Sequence, residues 1–590
     1  MIPEDLNFNV ASVGHLPLIR AVIDDLGITQ AIDARCPKHA QAQVSDADCV
    51  VLLILNILSG RVALHRMNDW LDRTDIELLL GSDRPAASFH DTRLGAALDH
   101  LHTTGVDTLM GDIVDIYLHR PELPRSFCVH QDTTSLSVYG DYEDAESPIP
   151  TFGFSKDHRP DLRQLIFGLT LHGATAVPLL GAMFDGNTAD VTANRHALNE
   201  IAKRLPEPEQ VTFVGDCKLV DGETVAQILD LGMHFVSLLP DTFDLRHRII
   251  EATWEADPEV ASWPELMVRP GRTKADPVDV WRGWSCEHPF TLKRRDAKNN
   301  EILETRDLRF LVIHSTSGER RFDDALESKL KAEREAISKI EARIARQPLR
   351  CSEDAARLAE RHRAELRYHD ADVTIQEVQR PLKRGKAGRP KRDEPIPTET
   401  VWTVSFTLRR DDAAIARTRR IASCFALITD HPESGAWSDK ELLAAYKRQH
   451  IVEGATGFHW LKGPAAVAPT FLKTPTRIAA LGFVFLLALM VRNHIQFTLR
   501  RQLKDCGDTI LHPFTKQQVQ NPTTEIALVH FGGITTLQLP REDGSMQRVP
   551  QRLRPEAEKI LWLLGFDREI FMKPPDGRSR RRENREVTSA

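Results

Sequence analysis

One short stretch sets the terms for the fold. Residues 127–140, FCVHQDTTSLSVYG, have the β-branched, aromatic and aliphatic make-up of a strand bounded by Arg125 and Gly140. Alternation puts Cys128, His130, Asp132 and Thr134 on one face. Asp is among the poorest strand formers, and a buried carboxylate is costly unless it is paired or holds a metal. Asp132 in mid-strand is therefore a local inconsistency of the kind that function explains. Taken by itself, the segment serves equally well as an edge strand with a solvated Asp.

The pattern around it is that of an α/β fold. LRQLIFGLTL (162–171) and AVPLLGAMF (176–184) read as two strands joined at His172-Gly173. NRHALNEIAKRL (194–205) reads as a helix, and VTFVGD (211–216) as a short buried strand ending at Asp216. Asp221 opens another helix with Glu223 in its first turn. Farther on, IASCFALITD (421–430) reads as a fifth strand, and Ser438 caps a helix beginning DKELLAAYKRQHIVEG. On an unbroken helix Tyr446, Gln449 and Glu453 share one face. Three adjacent strands, a helix and a fourth strand ending in an acid is the order of ribonuclease-H-like mixed sheets, where carboxylates from the first and fourth strands meet near the sheet centre. Many other α/β domains supply the same order.

At 590 residues the chain exceeds a single core, so about three to five domains or subdomains are expected. Residues 1–122 read as a helical N-terminal domain. Apolar stripes run through Leu16, Leu18, Ile19, Val22, Ile23 and Leu26 and through Val50, Leu52, Leu53, Leu55 and Leu58, and Asp91 is the expected cap of a later helix. Arg61, His65, Arg66 and Arg73 there are candidate phosphate contacts, although a solvated helix face explains any one of them. Residues 123–240 and 401–500 read as the two parts of the core, split by an insertion over 241–400. The insertion has a β-rich segment around Trp254, Trp263, Val280, Trp281 and LRFLVIH (308–314). A helical hairpin over 324–380 follows, with a near-heptad seam at Leu326, Leu330, Ile337, Ile340 and Ile344. A basic linker, 381–398, carries KRGKAGRPKR. Its Gly388-Arg389-Pro390 resembles a minor-groove hook, and a basic flexible linker is an equal reading. Residues 501–590 form a C-terminal region ending in a basic tail, GRSRRRENRE.

Composition excludes several classes. Eight Cys without a CxxC pair argue against a zinc site or a disulfide framework and fit a reducing cytoplasm. MIPEDLNFNV has neither the basic start nor the apolar core of a signal peptide. The apolar run Ile478–Val491 is too short to span a bilayer and is expected to be a buried helix, so no membrane partner is expected. A net charge of −7 does not advertise nucleic-acid binding, but metal-binding carboxylates themselves lower that sum.

Asp132, Asp216 and Glu453 are the candidate catalytic and metal-binding acids. Hard Mg²⁺ or Mn²⁺ ions prefer oxygen ligands, and two of them about 4 Å apart can activate a nucleophile and stabilise the leaving oxygen of a phosphodiester. Asp157, Asp161, Asp190 and Asp430 also stand beside expected strand ends or turns.

HQDTTSLSVYG, GFSKDHRPDLRQ (153–164), GNTAD (186–190), VGDCKLVDGET (214–224), AYKRQHIVE (445–453) and FLKTPTRIAALG (471–482), in this order, resemble the DDE transposases of bacterial insertion sequences. The likeness is to the IS-four-like superfamily, in the branch with a long insertion before the catalytic Glu, and it runs over most of the chain. It implies metal-ligand and catalytic roles for Asp132, Asp216 and Glu453, two Mg²⁺ or Mn²⁺ ions, and a ribonuclease-H-like core. It also implies double-stranded DNA partners, the element's terminal inverted repeats and the target, bound by a homodimer. Lys156, Arg159, Arg163, Lys218, Arg389, Tyr446, Arg448 and Lys462 are the candidate DNA contacts, Arg389 through its hook-like sequence. The sequence departs from the superfamily signature where an Arg and a Lys are expected, at Gln449 and Trp460. Arg448 and Lys462 are the available stand-ins, and Lys462 reaches the site only if Gly454 and Gly457 interrupt the helix. The alternatives are a metal-dependent nuclease without strand transfer and a domesticated, inactive DNA-binding protein.

Overall fold

The computed structural model describes residues 8–39, 42–81, 84–140, 142, 148–153, 159–205, 207–271, 273, 276–296, 298–381, 398–463, 474–541 and 545–576. Contacts divide the mixed α/β chain into a first unit of Met1–Ser237, Phe290–Arg306 and Ala445–Ala590 and a second of Leu238–Pro289 and Asp307–Ala444.

The first unit opens with β1 (Asn9–Ser12) and seven helices: α1 (Leu16–Asp25), α2 (Ile28–Arg35), α3 (Asp46–Leu58), α4 (Met67–Leu71), α5 (Ile76–Leu80), α6 (Asp91–Thr104) and α7 (Val106–Leu118). The two apolar stripes are the buried faces of α1 and α3. Ser45 and Asp48 form a reciprocal cap on α3, with bonds of 3.0 and 2.9 Å, satisfying two backbone donors left over by the first turn. His90, not Asp91, caps α6, its Nδ1 accepting from Arg93 N at 3.2 Å.

The sheet of this unit comprises β2 (Phe127–Val138), β3 (Arg163–His172), β4 (Pro178–Phe184), β5 (Val211–Gly215) and β6 (His234–Leu238), in the order β4-β3-β2-β5-β6. The first three are antiparallel, as hairpin connections require, and β2, β5 and β6 are parallel. The crossovers carry α8 (Asp190–Ala202) and α9 (Gly222–Asp230), and Asp221 caps α9 by accepting from Glu223 N and Thr224 N, both at 3.0 Å.

The second unit holds α10 (Asp244–Ala256), β7 (Glu265–Arg269), β8 (Asp279–Arg295), β9 (Glu301–Ser315), α11 (Thr316–Arg346), α12 (Ser352–Ala364), β10 (His369–Pro381), β11 (Thr398–Arg410), α13 (Asp412–Ser423), β12 (Cys424–Thr429) and the start of α14 (Asp439–Lys447). It runs on to Ala444, past the expected end of the insertion at 400. Trp254 lies on α10, not in a strand. The helical hairpin expected over 324–380 is shorter: α12 ends at Ala364, and β10 pairs with β11 over thirteen positions, from His369 opposite Arg410 to Pro381 opposite Thr398. β-Branched Val373, Thr374 and Ile375 suit a strand better than a helix. The seam of α11 closes on this ribbon, with Ile337 and Ile344 packed among Ala355, Ala359, Val404 and Phe406.

The chain then completes the first unit with α15 (His450–Glu453), α16 (Phe458–Lys462) and α17 (Pro475–Asp505). The expected buried helix at 478–491 lies in the N-terminal half of α17. By length and composition α17 could cross a membrane, but 89% of its most apolar window is buried within the protein. It packs on α1, α3, α6, α7 and β4, so the N-terminal helices share one core with the sheet. Gly181 on β4 permits the approach, since a Cβ there would lie 2.3 Å from a methyl of Leu486. Each fully buried Leu or Ile side chain contributes on the order of 1.5–3 kcal/mol. Beyond it, Thr535–Pro540 pairs with β1 and with Met546–Pro550.

Candidate active site

β2 and β5 run parallel, with Phe127 opposite Val211 and His130 opposite Val214. Carried two residues farther, this register sets Asp132 level with Asp216. β5 has ended at Gly215 by then, and Asp216 caps the turn Cys217–Leu219, its carboxylate accepting Lys218 N at 2.9 Å. Its carbonyl accepts Ser237 Oγ from β6 at 2.7 Å. Asp132 Oδ1 accepts Thr133 N at 2.7 Å, and the Thr133 hydroxyl donates to Asp190 at the start of α8. The carboxylate in mid-strand is thus half-buried and carries a backbone bond.

Glu453 is the exposed last residue of α15, which packs against β2 and β3. The helix expected to run unbroken to Glu453 is interrupted. After Lys447, Arg448 and Gln449 form a tightened turn, with Gln449 N bonded to Tyr446 O and Val452 N to Gln449 O, both at 3.0 Å. The ideal-helix face for Tyr446, Gln449 and Glu453 therefore does not hold: Gln449 is buried at the break, while Glu453 is exposed. Tyr446 nevertheless feels both acids. Its phenol is pushed up to about 12, by burial first and then by the negative Asp216, Cys217 and Glu453.

Gly454 ends α15 and Gly457 precedes α16, the interruption that the sequence anticipates. Only glycine fits at 457, because a Cβ would lie 2.0 Å from Val452 O. After the break Lys462 lines a small cavity with Thr134 and Leu136 of β2 and with Phe458. The lysine is thereby brought to the strand that carries Asp132.

The donors offered by β2, β5 and α15 are all carboxylate oxygens, which fit a hard divalent cation and not a thiolate- or imidazole-seeking one. Among the described residues, no three His, Cys, Asp or Glu side chains are already grouped to hold a metal ion.

The basic candidates divide. Lys218 is exposed on the Asp216 turn. Arg159 forms a two-pronged pair with Asp161, at 2.8 and 2.7 Å, on one exposed turn. Arg163 lies over the Phe152 ring at 5.1 Å. Arg448 is exposed yet donates to Ala174 O at 2.9 Å, and partial desolvation lowers its guanidinium pKa. Lys156 and Arg389, with the rest of KRGKAGRPKR, lie outside the described residues, as does the GRSRRRENRE tail.

Other residues at the site were not singled out in the sequence. His130 and His172 are buried and both pushed down to about 3, chiefly by desolvation and then by the positive charge of Arg448. Asn493, a buried amide just past the apolar half of α17, bonds to the β3–β4 turn at Ala176 O and to the loop after α15 at Thr456 O. Its position just after the run Phe483–Val491 was the available signal.

Residues 8–115 match a family described as a domain of unknown function, DUF4277. None of the curated proteins compared matches the chain. One solved structure with partial similarity is the cryo-EM structure of a piggyBac transposase synaptic complex with hairpin DNA. The alignment covers 49% of this chain and 60% of that one, at 11% identity and a TM-score of 0.24.

Proposed function

We propose that the chain is a DNA transposase with a ribonuclease-H-like core, in which Asp132, Asp216 and Glu453 act together on phosphodiester bonds. The observation that carries this reading is the parallel register of β2 and β5. It offers two acids from residues 84 apart in sequence at one level of the sheet, and Tyr446 senses Asp216 and Glu453 together. The DUF4277 match, a domain family found in transposases, adds support.

Asp132, Asp216 and Glu453 would hold Mg²⁺ or Mn²⁺. When bound, such ions supply Lewis-acid stabilisation of phosphoryl oxygens. The chain's own residues orient the DNA. Lys218, on the Asp216 turn, and Lys462, beside β2, attract the strand that carries the scissile phosphate, with Arg159 and Arg163 as outer contacts. Tyr446, neutral at physiological pH, offers its hydroxyl as a donor beside the two acids without adding to their negative charge. Cleavage at element ends followed by attack of the freed 3′-hydroxyl on target DNA is the expected sequence, in a homodimer that pairs two ends. Both steps are in-line displacements in which positioning dominates.

The test is Mg²⁺-dependent nicking of the element's own terminal DNA by the wild type and by Asp132→Asn, Asp216→Asn and Glu453→Gln. Cleavage and strand-joining lost together with binding retained is the expected result. Cleavage without a joined product would mark a nuclease, and wild-type binding without cleavage an inactive DNA-binding protein.

A further inference from the structure

Asn493 lies in the middle of α17 at 1% exposure, where an amide is costly unless its hydrogen-bonding groups are met. They are. Nδ2 donates to Ala176 O at 2.6 Å and to Thr456 O at 2.8 Å, and Oδ1 accepts from Arg492 Nη1 at 2.9 Å. The two carbonyls belong to different loops. Ala176 sits in the β3–β4 turn at φ +57°, a left-handed conformation that a residue with a Cβ adopts only when its surroundings hold it there. Thr456 is three residues beyond Glu453, and its hydroxyl donates back to Ile451 O in α15 at 2.7 Å.

The same turn also holds the other end of α15. Arg448, just ahead of that helix, donates to Ala174 O. The turn in its own right is tied to β2, with Gly173 N bonded to Cys128 O at 2.7 Å. The helix of Glu453 is therefore gripped fore and aft by a turn anchored on the strand of Asp132, with the amide of Asn493 closing the circuit.

We infer that Asn493 is a positioning residue that fixes Glu453 relative to Asp132 through the Gly173–Ala176 turn and the Thr456 loop. The inference rests on the proposed reading of Asp132 and Glu453 as acids of one active site. Misplacing a reacting group by 1 Å costs about 10²-fold in rate.

The experiment compares the full-length wild type with Asn493→Ala and with Thr456→Val, which removes the half-buried hydroxyl and leaves Asn493 in place. Hydrogen exchange is followed across the chain, and Mn²⁺-supported nicking of terminal DNA is resolved into kcat and KM. Exchange should quicken over residues 449–461 and not in β2 or β5. The kcat of Asn493→Ala should fall about 10²-fold, with KM for DNA unchanged. Exchange that is unaltered, or raised evenly through the first unit, would overturn the inference, as would a raised KM at unchanged kcat. If Asn493→Ala does not fold, Asn493→Leu, which keeps the side chain's bulk and removes both donated bonds, carries the same expectations in the same directions. If the wild type itself does not nick, the reading of the acids fails, and the exchange pattern alone decides whether Asn493 holds α15 to the turn.

Discussion

Asp132 stands level with Asp216 because their strands pair in parallel up to His130 and Val214, two residues short of each acid. Each carboxylate accepts one backbone N–H, from Thr133 for Asp132 and from Lys218 for Asp216, and an Asn side chain keeps an oxygen to accept it. Asp132→Asn and Asp216→Asn should therefore each leave the melting temperature nearly unchanged. Nicking should drop by at least about 10²–10³, the usual cost of removing one electrostatic stabiliser. Thermal melts run beside nicking assays check both halves, and a matched fall in stability would assign the acids a structural role instead.

Tyr446 gives a pH signature. Its folded-state pKa, about 12, lies above the ordinary value of 10 because burial and then Asp216, Cys217 and Glu453 disfavour the phenolate. The stability linked to it is fully present below pH 10 and is lost as pH rises through 12. Each tenfold change in the ionisation constant accounts for at most roughly 1.4 kcal/mol of that loss. Tyr446→Phe should flatten the alkaline limb. Burial raises Tyr117 as well, so the difference between wild type and variant in denaturant melts at rising pH is the quantity to measure.

His172 acts in the opposite direction. Its ring stacks on Phe127 at 4.4 Å between centroids, Nδ1 accepts Ala174 N at 3.1 Å, and desolvation followed by Arg448 pushes its pKa down to about 3. The folded state therefore binds fewer protons than the unfolded state between pH 6.5 and 3, and stability present above that window is lost as pH falls through it. His172→Gln keeps an acceptor without a titrating ring. It should cost about 1–2 kcal/mol near neutrality and shallow the decline in acid, measured by urea melts at two pH values.

The strands from Phe127 to Gly215 were legible because alternation, turn residues and caps are local signals, and each matched its element to within a few residues. The break at Arg448–Gln449 was not. Neither residue is a helix breaker, and the turn is tied down by tertiary contact, with Arg448 reaching Ala174 O and Gln449 buried. β10 was missed for a related reason. Only part of its length is covered by helix, so its alternation is weak, and its partner β11 begins well beyond it in the sequence. The level placement of Asp132 and Asp216 depends on register, which no single strand encodes.

The seam of α11 supplies the last prediction. Near-heptad apolar spacing suits either a second copy of the chain or the chain's own hairpin, and here Ile337 and Ile344 are covered by Ala355, Ala359, Val404 and Phe406 of α12 and β11. A side chain packed within its own unit is insensitive to concentration, whereas one that seals a dimer is not. Ile337→Ala leaves a cavity and should cost roughly 2–5 kcal/mol. It should open residues 316–410 to protease before the sheet of β2 and β5, to the same extent at every protein concentration. A melting temperature that climbs with wild-type concentration and ceases to do so in Ile337→Ala would instead assign the seam to the partner copy.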